Sequence, residues 1–481
     1  MTTITAIPYK ENSEVLFNKI KDLPYACWLD SGKPESDYGR YDIISALPDI
    51  RLVTEGSETS IFRSTGSSFG HILASQHKSD PLTLLSTELK KLAIHKPIAN
   101  IPFSGGAIGY FGYDLNHHLN NKSSRPSKPK SKLPDMHVGI YHWAIIQDHQ
   151  CQKAFIVNLP ECDERIIPLV RQRLEQQYDI DYPAAPLKVK ALSPSIGRDQ
   201  YIKQIEKINE YILAGDCYQV NFAQCFQGPY TGDPYSAYSQ LRKVMASPFS
   251  AYLSLNGSLG GSLNDQTQDD NASNKRAIMS LSPERFLRTN GKSVLTQPIK
   301  GTAARDKLKG KDQQNAIELQ ESDKNRAENL MIVDLLRNDL GQHCVPGSID
   351  VETLFGLQSF PNVHHLVSEI IGTLKEGANS IDLLRDCFPG GSITGAPKKR
   401  AMEIIDELED RSRGVYCGSI GYINHNGDMD TNIAIRTVSC DGKSLHCWGG
   451  GGIVADSTPH EEYQESLDKI NAILKVLAAS N

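Results

Sequence analysis

Glu284 and Lys300 are the first residues whose types and spacing suit chemistry. Glu284 stands in SPERF (282–286), after an apolar run, and Lys300 stands in QPIKGT (297–302). Their offset of sixteen fits equivalent points on two strands of one hairpin, so the side chains can meet. In a cleft, a carboxyl and an amine can serve as general acid and nucleophile. On a surface the same pair is an ion pair worth under about 1 kcal/mol. A second acid, Glu328, opens the nearly continuous apolar segment 326–339, where burial without a cation is costly. Glu465 lies on the polar face of a C-terminal helix, with Glu461, Glu462 and Asp468. Two carboxylates plus substrate oxygens suit Mg²⁺. Acids facing a helix dipole are the alternative.

Two glycine-rich segments and an arginine follow. FPGGSITGAPK (388–398) has the glycine spacing of a P-loop, but Ala396 stands where Lys is required, which excludes nucleotide binding. A Gly/Ser/Thr turn feeding a helix still offers N–H groups to an anion. WGGGGI (448–453) has four consecutive glycines where a hairpin turn needs one or two. Such a run suggests close backbone approach, for which a carboxylate is one partner. Arg436 interrupts the strand-like run 431–439, which suggests an anion partner. Tyr422 on the preceding run would face the same side. His364 and His365 precede an apolar segment, where a His is usually structural.

The elements that must position these residues are read from periodicity. Ile202, Ile205, Ile208 and Ile212 predict a helix over 199–214. Helices are also predicted over 326–338, from Pro397 to 408, and over 461–479. Strands fit 217–225, 249–255, 277–281, 293–297, 415–424 and 431–439, the last two paired. Elements that do not alternate strictly indicate an α+β chain. Polar stretches at 120–132 and 256–275 read as surface loops, and prolines near 183–195 divide 1–190 from 191–481. A length of 481 residues suggests about three domains. With 39% hydrophobic and 22% charged residues the chain is globular, and a net charge of −6 argues against nucleic acid. No apolar run suits a membrane span and no signal peptide is visible at the start, so a cytoplasmic location is expected. Ten cysteines without a C-x-x-C fit reduced thiols.

Together these segments resemble the chorismate-utilising enzymes, which include anthranilate synthase large subunits, isochorismate and salicylate synthases, and the aminodeoxychorismate-forming enzymes. The match runs over 199–477 through at least seven ordered motifs. LDSG (29–32), YGRYD (38–42) and GGAIGYFGYD (105–114) look like the amidotransferase-associated members. Two positions separate the branches. Lys300 stands where anthranilate and isochorismate synthases carry Ala, and Gln219 stands where isochorismate-type members carry a water-activating Lys.

The resemblance implies a large intertwined two-subdomain sandwich of antiparallel sheets flanked by helices, with 191–481 as the chorismate-binding region. It implies that chorismate and ammonia give 4-amino-4-deoxychorismate. Lys300 forms a covalent adduct at C2 and Glu284 protonates the departing hydroxyl. Glu328 and Glu465 hold Mg²⁺. Thr302, His365, Ser392, Tyr422, Arg436, Gly450, Gly451 and Gly452 contact substrate. Ser31, Tyr38, Gly39, Arg40, Tyr41, Pro248, Phe249 and Ser250 match a tryptophan pocket of some relatives. No Gly-x-Cys-x-Gly turn occurs, so ammonia is expected free or from a glutamine amidotransferase partner. An anthranilate synthase activity is the nearest alternative, and a non-catalytic ligand-binding paralogue a more distant one. Site residues drawn from both ends of the chain imply one intertwined body in place of three domains.

Overall fold

The computed structural model describes all residues except 67–68, 93–97, 120–127, 177–184, 258–274, 361–362 and 480–481. The described residues form two antiparallel sheets, of thirteen and twelve strands, laid face to face. Between them pack Cys27, Ile43, Ala251 and Ile278 of the first sheet against Ile108, Tyr110 and Ile420 of the second. Helices cover the outer faces. Leu241, Ile470, Ile473 and Leu477 cover the first sheet, and Leu85, Ile332, Leu336 and Leu384 cover the second. This explains why Gly106–Phe111, Met136–Tyr141 and Ala277–Ser282 are buried along their whole lengths.

Both sheets take strands from either side of residue 190. In the first, Cys27–Asp30 pairs with Phe249–Ser254, with Leu29 opposite Ala251. In the second, Gly106–Phe111 pairs with Ser419–Asn424, with Gly109 opposite Gly421. The division at 190 therefore does not separate two bodies.

Helices run over Arg198–Leu213, Asp323–Gly341, Lys398–Leu408 and Pro459–Ala479. Pro397 is the N-cap of the third, one position before its predicted place. The last helix buries Ser466, Ile470, Ile473 and Leu477, a helical period that lays it on the first sheet. The stretches expected as loops at 120–132 and 256–275 fall mostly outside the described residues.

One expectation is corrected. The run 431–439 is two strands, Met429–Ile433 in the second sheet and Thr437–Cys440 in the first, and Arg436 sits in the crossing with φ of 50°. The glycine run does make the close backbone approach expected of it, with a helix backbone as the partner. It lies inside the strand Ser444–Ile453, and a Cβ on Gly449 would stand 2.1 Å from the Ser466 carbonyl oxygen. The glycines there let the last helix lie against the strand.

Candidate active site

The chain passes between the sheets twice at one place, and each crossing carries a charged residue. Ala277–Ser282 belongs to the first sheet and Arg285–Asn290 to the second, so Pro283 and Glu284 bridge them. Arg436 bridges the other way. Backbone bonds tie the crossings together: the Ile433 N–H donates to the Glu284 carbonyl at 3.0 Å, and the Leu281 N–H to the Arg436 carbonyl at 3.1 Å. Ser282 Oγ donates to the Ile433 carbonyl at 2.5 Å. Acid and guanidinium are thus set by the same pair of crossings.

Both line a cavity of about 670 Å³, with Lys300, Thr302, Glu328, His365, Ser392, Gly450, Gly452 and Glu465. Glu284 is 4% exposed. Burial raises its pKa, against the Ser392 hydroxyl and the Lys300 charge. Lys300 comes from the strand Ile299–Ala304, and its Nζ donates to the Ser392 carbonyl at 3.0 Å. Burial lowers the pKa of this amine, opposed by Glu284 and Glu328. The two shifts run in complementary directions, toward a neutral acid and a neutral amine.

His365 is buried, and burial with the neighbouring Arg436 charge holds its pKa well below the usual range. Arg436 Nη2 lies 3.4 Å from His365 Nε2. Arginine has only donors, so Nε2 accepts and the proton sits on Nδ1. That nitrogen lies 2.9 Å from Thr302 Oγ1 and donates to it. Burial lowers the Arg436 pKa to about 10. Among the described residues no carboxylate is bonded to this guanidinium, so it suits an incoming anion.

Glu328 and Glu465 project from the helices Asp323–Gly341 and Pro459–Ala479 into the same cavity. Burial raises the Glu328 pKa. For Glu465 burial is outweighed by Lys469, whose Nζ lies 2.6 Å from Oε1, and the pKa falls. Lys469 also donates to the Gly450 carbonyl at 3.0 Å. Among the described residues no group of three or more His, Cys, Asp or Glu is placed to hold a metal. An ion here would rest on two carboxylates, water and substrate oxygens, which fits Mg²⁺. Gly451 is not itself in the cavity lining but lies against two acids that are: a Cβ there would stand 3.0 Å from Glu462 Oε2 and 3.3 Å from Glu465 Oε1.

Tyr422 is not in this cavity. Its expected partnership with Arg436 needed one continuous strand over 431–439, and the crossing removes that. Tyr422 instead packs on Phe103, ring centres 5.7 Å apart, in a second cavity of about 640 Å³. Tyr416, stacked on Trp448 at 5.5 Å, lines the first cavity, as do Lys324 and Lys469. None of these was singled out from sequence, although Trp448 heads the glycine run. Gln219 lies beside Gly452, buried, with no partner for either amide atom among the described residues.

Of the tryptophan-pocket set, Gly39, Arg40, Tyr41, Pro248, Phe249 and Ser250 line the second cavity. Ser31 and Tyr38 do not. Ser31 lies under Gly39, its N–H donating to Asp42 Oδ1 at 2.6 Å. Tyr38 turns to the first cavity's wall: its hydroxyl accepts the Ser359 N–H at 3.0 Å and its ring lies 4.7 Å from that of Phe360.

A buried acid and amine beside a guanidinium with no carboxylate bonded to it among the described residues, held where two sheets exchange strands, suit an enzyme for a small carboxylated substrate. A family model described as chorismate binding enzyme matches residues 26–475, and the chain belongs to that family. It is 41% identical over 478 residues to aminodeoxychorismate synthase component 1 of Salmonella typhimurium, covering 99% of this chain and 98% of that one. Identity to the Escherichia coli protein of the same name is 42% over 478 residues, 98% of each chain. The crystal structure of anthranilate synthase component I from Streptococcus pneumoniae superposes with a TM-score of 0.74 at 28% identity, over 91% of this chain and 92% of that one.

Proposed function

We propose that this chain converts chorismate and ammonia to 4-amino-4-deoxychorismate, on the route to para-aminobenzoate and folate. Its full-length similarity to two proteins named for that reaction supports the overall conversion. The observation that carries the mechanism is Lys300 and Glu284 in one cavity with complementary pKa shifts.

Neutral Lys300 attacks C2 of the ring. Both conjugated ring double bonds shift by one bond, the C4–O bond breaks, and Glu284 gives its proton to the hydroxyl, which leaves as water. Ammonia then attacks C4, both double bonds shift back, and the C2–N bond to Lys300 breaks. The proton lost by the new amine returns to the Glu284 carboxylate. Two allylic shifts leave nitrogen where oxygen was, and covalent catalysis divides one hard step into two. An ordinary lysine is neutral in only about one molecule in 2,500 at pH 7, so its lowered pKa directly raises the reactive fraction.

Arg436 suits the enolpyruvyl carboxylate, and the neutral His365 with Thr302 and Ser392 lines the side of the departing hydroxyl. Glu328 and Glu465 would hold Mg²⁺, which would supply Lewis-acid charge for the ring carboxylate, and the backbone amides of Gly450 to Gly452 would assist in holding that carboxylate. The relatives' designation as component 1 implies a second component. We infer that it is a glutamine amidotransferase that delivers ammonia. The second cavity, with Tyr41 and Phe249 among polar side chains, suits tryptophan. Among the described residues no helix is long and apolar enough to cross a membrane.

Incubation with chorismate, Mg²⁺ and ammonium should yield a product that an aminodeoxychorismate lyase converts to para-aminobenzoate. Anthranilate fluorescence without a lyase would overturn the reading.

A further inference from the structure

Behind the cavity wall lies a buried ion pair that touches no substrate position. Arg413 and Glu409 are each 3% exposed. Arg413 Nε donates to Glu409 Oε2 at 2.9 Å and Nη2 to Oε1 at 2.7 Å. The same guanidinium donates to two wall carbonyls, Ile393 at 3.0 Å and Asn221 at 2.6 Å. It also lies 5.8 Å from the ring of Tyr416, a third wall residue. Glu409 Oε1 accepts the Ala223 N–H at 3.0 Å, fixing the carboxylate in turn.

A buried pair of this kind is weak evidence for stability, because apolar groups of similar volume often serve as well. What it holds points elsewhere. Gly391–Ile393 is a single short turn, closed by long bonds of 3.4 Å (Ile393 N–H to Gly390) and 3.3 Å (Thr394 N–H to Gly391). Within that turn the Ser392 carbonyl accepts the Lys300 amine and its hydroxyl meets Glu284. Thr394 Oγ1 closes the turn on itself, donating to the Gly390 carbonyl at 3.0 Å, and the Asn221 N–H holds the Thr394 carbonyl at 2.8 Å. The buried charge that holds the turn is Arg413, whose Nη1 bonds Ile393, one residue from both contacts.

We infer that Arg413, locked by Glu409, is a positioning residue for Lys300: it fixes the 391–393 turn so that the Ser392 carbonyl aims the amine at its target. This rests on Lys300 being the nucleophile. Lysine cannot replace the fork, since it offers a point charge without bidentate geometry.

The test is a double-mutant cycle in the full-length enzyme at saturating ammonium, with folding checked by thermal unfolding. Arg413→Lys should lower kcat for chorismate consumption about 30-fold with KM within about threefold. In a Lys300→Ala background the same substitution should change the residual turnover by less than about threefold. Equal factors in the two backgrounds, or a loss confined to KM, would overturn the inference. Failure of the nucleophile reading shows separately, as undiminished turnover in Lys300→Ala alone. If Arg413→Lys does not fold, Glu409→Gln keeps the volume and loosens the lock. It should lower kcat about fivefold in the parent and leave the Lys300→Ala background unchanged, and equal losses overturn the inference.

Discussion

In the proposed mechanism Lys300 and Glu284 divide the work, so their variants should fail differently. Lys300→Ala should lower 4-amino-4-deoxychorismate formation by at least about a hundredfold and divert the remaining turnover toward the 2-amino isomer, read by chromatography. Mass spectrometry of the parent mixed with chorismate and no ammonia should show the adduct on the Lys300 peptide. Glu284→Gln keeps shape and loses the proton, so kcat should fall about 10²- to 10⁴-fold with chorismate binding retained. The pKa directions also set a pH profile. Burial lowers the Lys300 pKa, and the amine must be neutral to attack, so adduct formation falls on the acid side as it protonates. Burial raises the Glu284 pKa, and the acid must be protonated to donate, so the rate falls on the alkaline side as the proton leaves. Single-turnover adduct formation without ammonia should therefore be bell-shaped. In Glu284→Gln the alkaline fall should vanish, leaving a rise to a plateau. An alkaline limb that persists there belongs to another group.

At the scale of elements, residue types were more legible in sequence than the paths between strands. The helix Arg198–Leu213 could be read because Ile205 and Ile208 follow the helical period. The glycine run announced close approach, but only the structure identifies the partner as the last helix's backbone. Arg436 stood out as a charge in an apolar run. Nothing in that run marks the crossing between sheets, and the crossing decides that Tyr422 and Arg436 face different cavities. Tyr416 was missed for a related reason: the strand expected over 415–424 starts only at Ser419, and Tyr416 lies in the turn before it, with no strand face to read. Strand Met136–Tyr141 supplies a prediction. His137 stacks between Tyr25 and Tyr110, ring centres 5.7 and 6.4 Å away. Burial, then the Arg51 and His71 charges, lower its pKa to about 3. Below about pH 6.5 an unfolded histidine takes up a proton that the folded one refuses. Stability therefore falls with pH by about 1.4 kcal/mol per unit down to about pH 3. His137→Phe keeps the stack and removes the linkage, so its melting temperature should drop less between pH 7 and pH 5 than the parent's. Equal drops would show that His137 titrates freely.

For the whole molecule, all proposed catalytic and metal-binding residues lie between Glu284 and Glu465, yet the first 190 residues are not an attachment to that region. Removing them strips Cys27–Asp30 from Phe249–Ser254 and Gly106–Phe111 from Ser419–Asn424. Both exposed strands are interior and largely buried, so the cut would bare two long apolar edges, which invite aggregation. Tyr38 would also leave Phe360 in the cavity wall. Fragments 1–190 and 191–481 made separately should each lack a cooperative thermal transition, and 191–481 alone should not consume chorismate. Produced together, they should pair through these strand edges, unfold in one transition and regain turnover. A monomeric 191–481 that melts cooperatively by itself would show that the prolines near 183–195 mark a true domain boundary. The paired edges would then be a docking surface between two independently stable bodies.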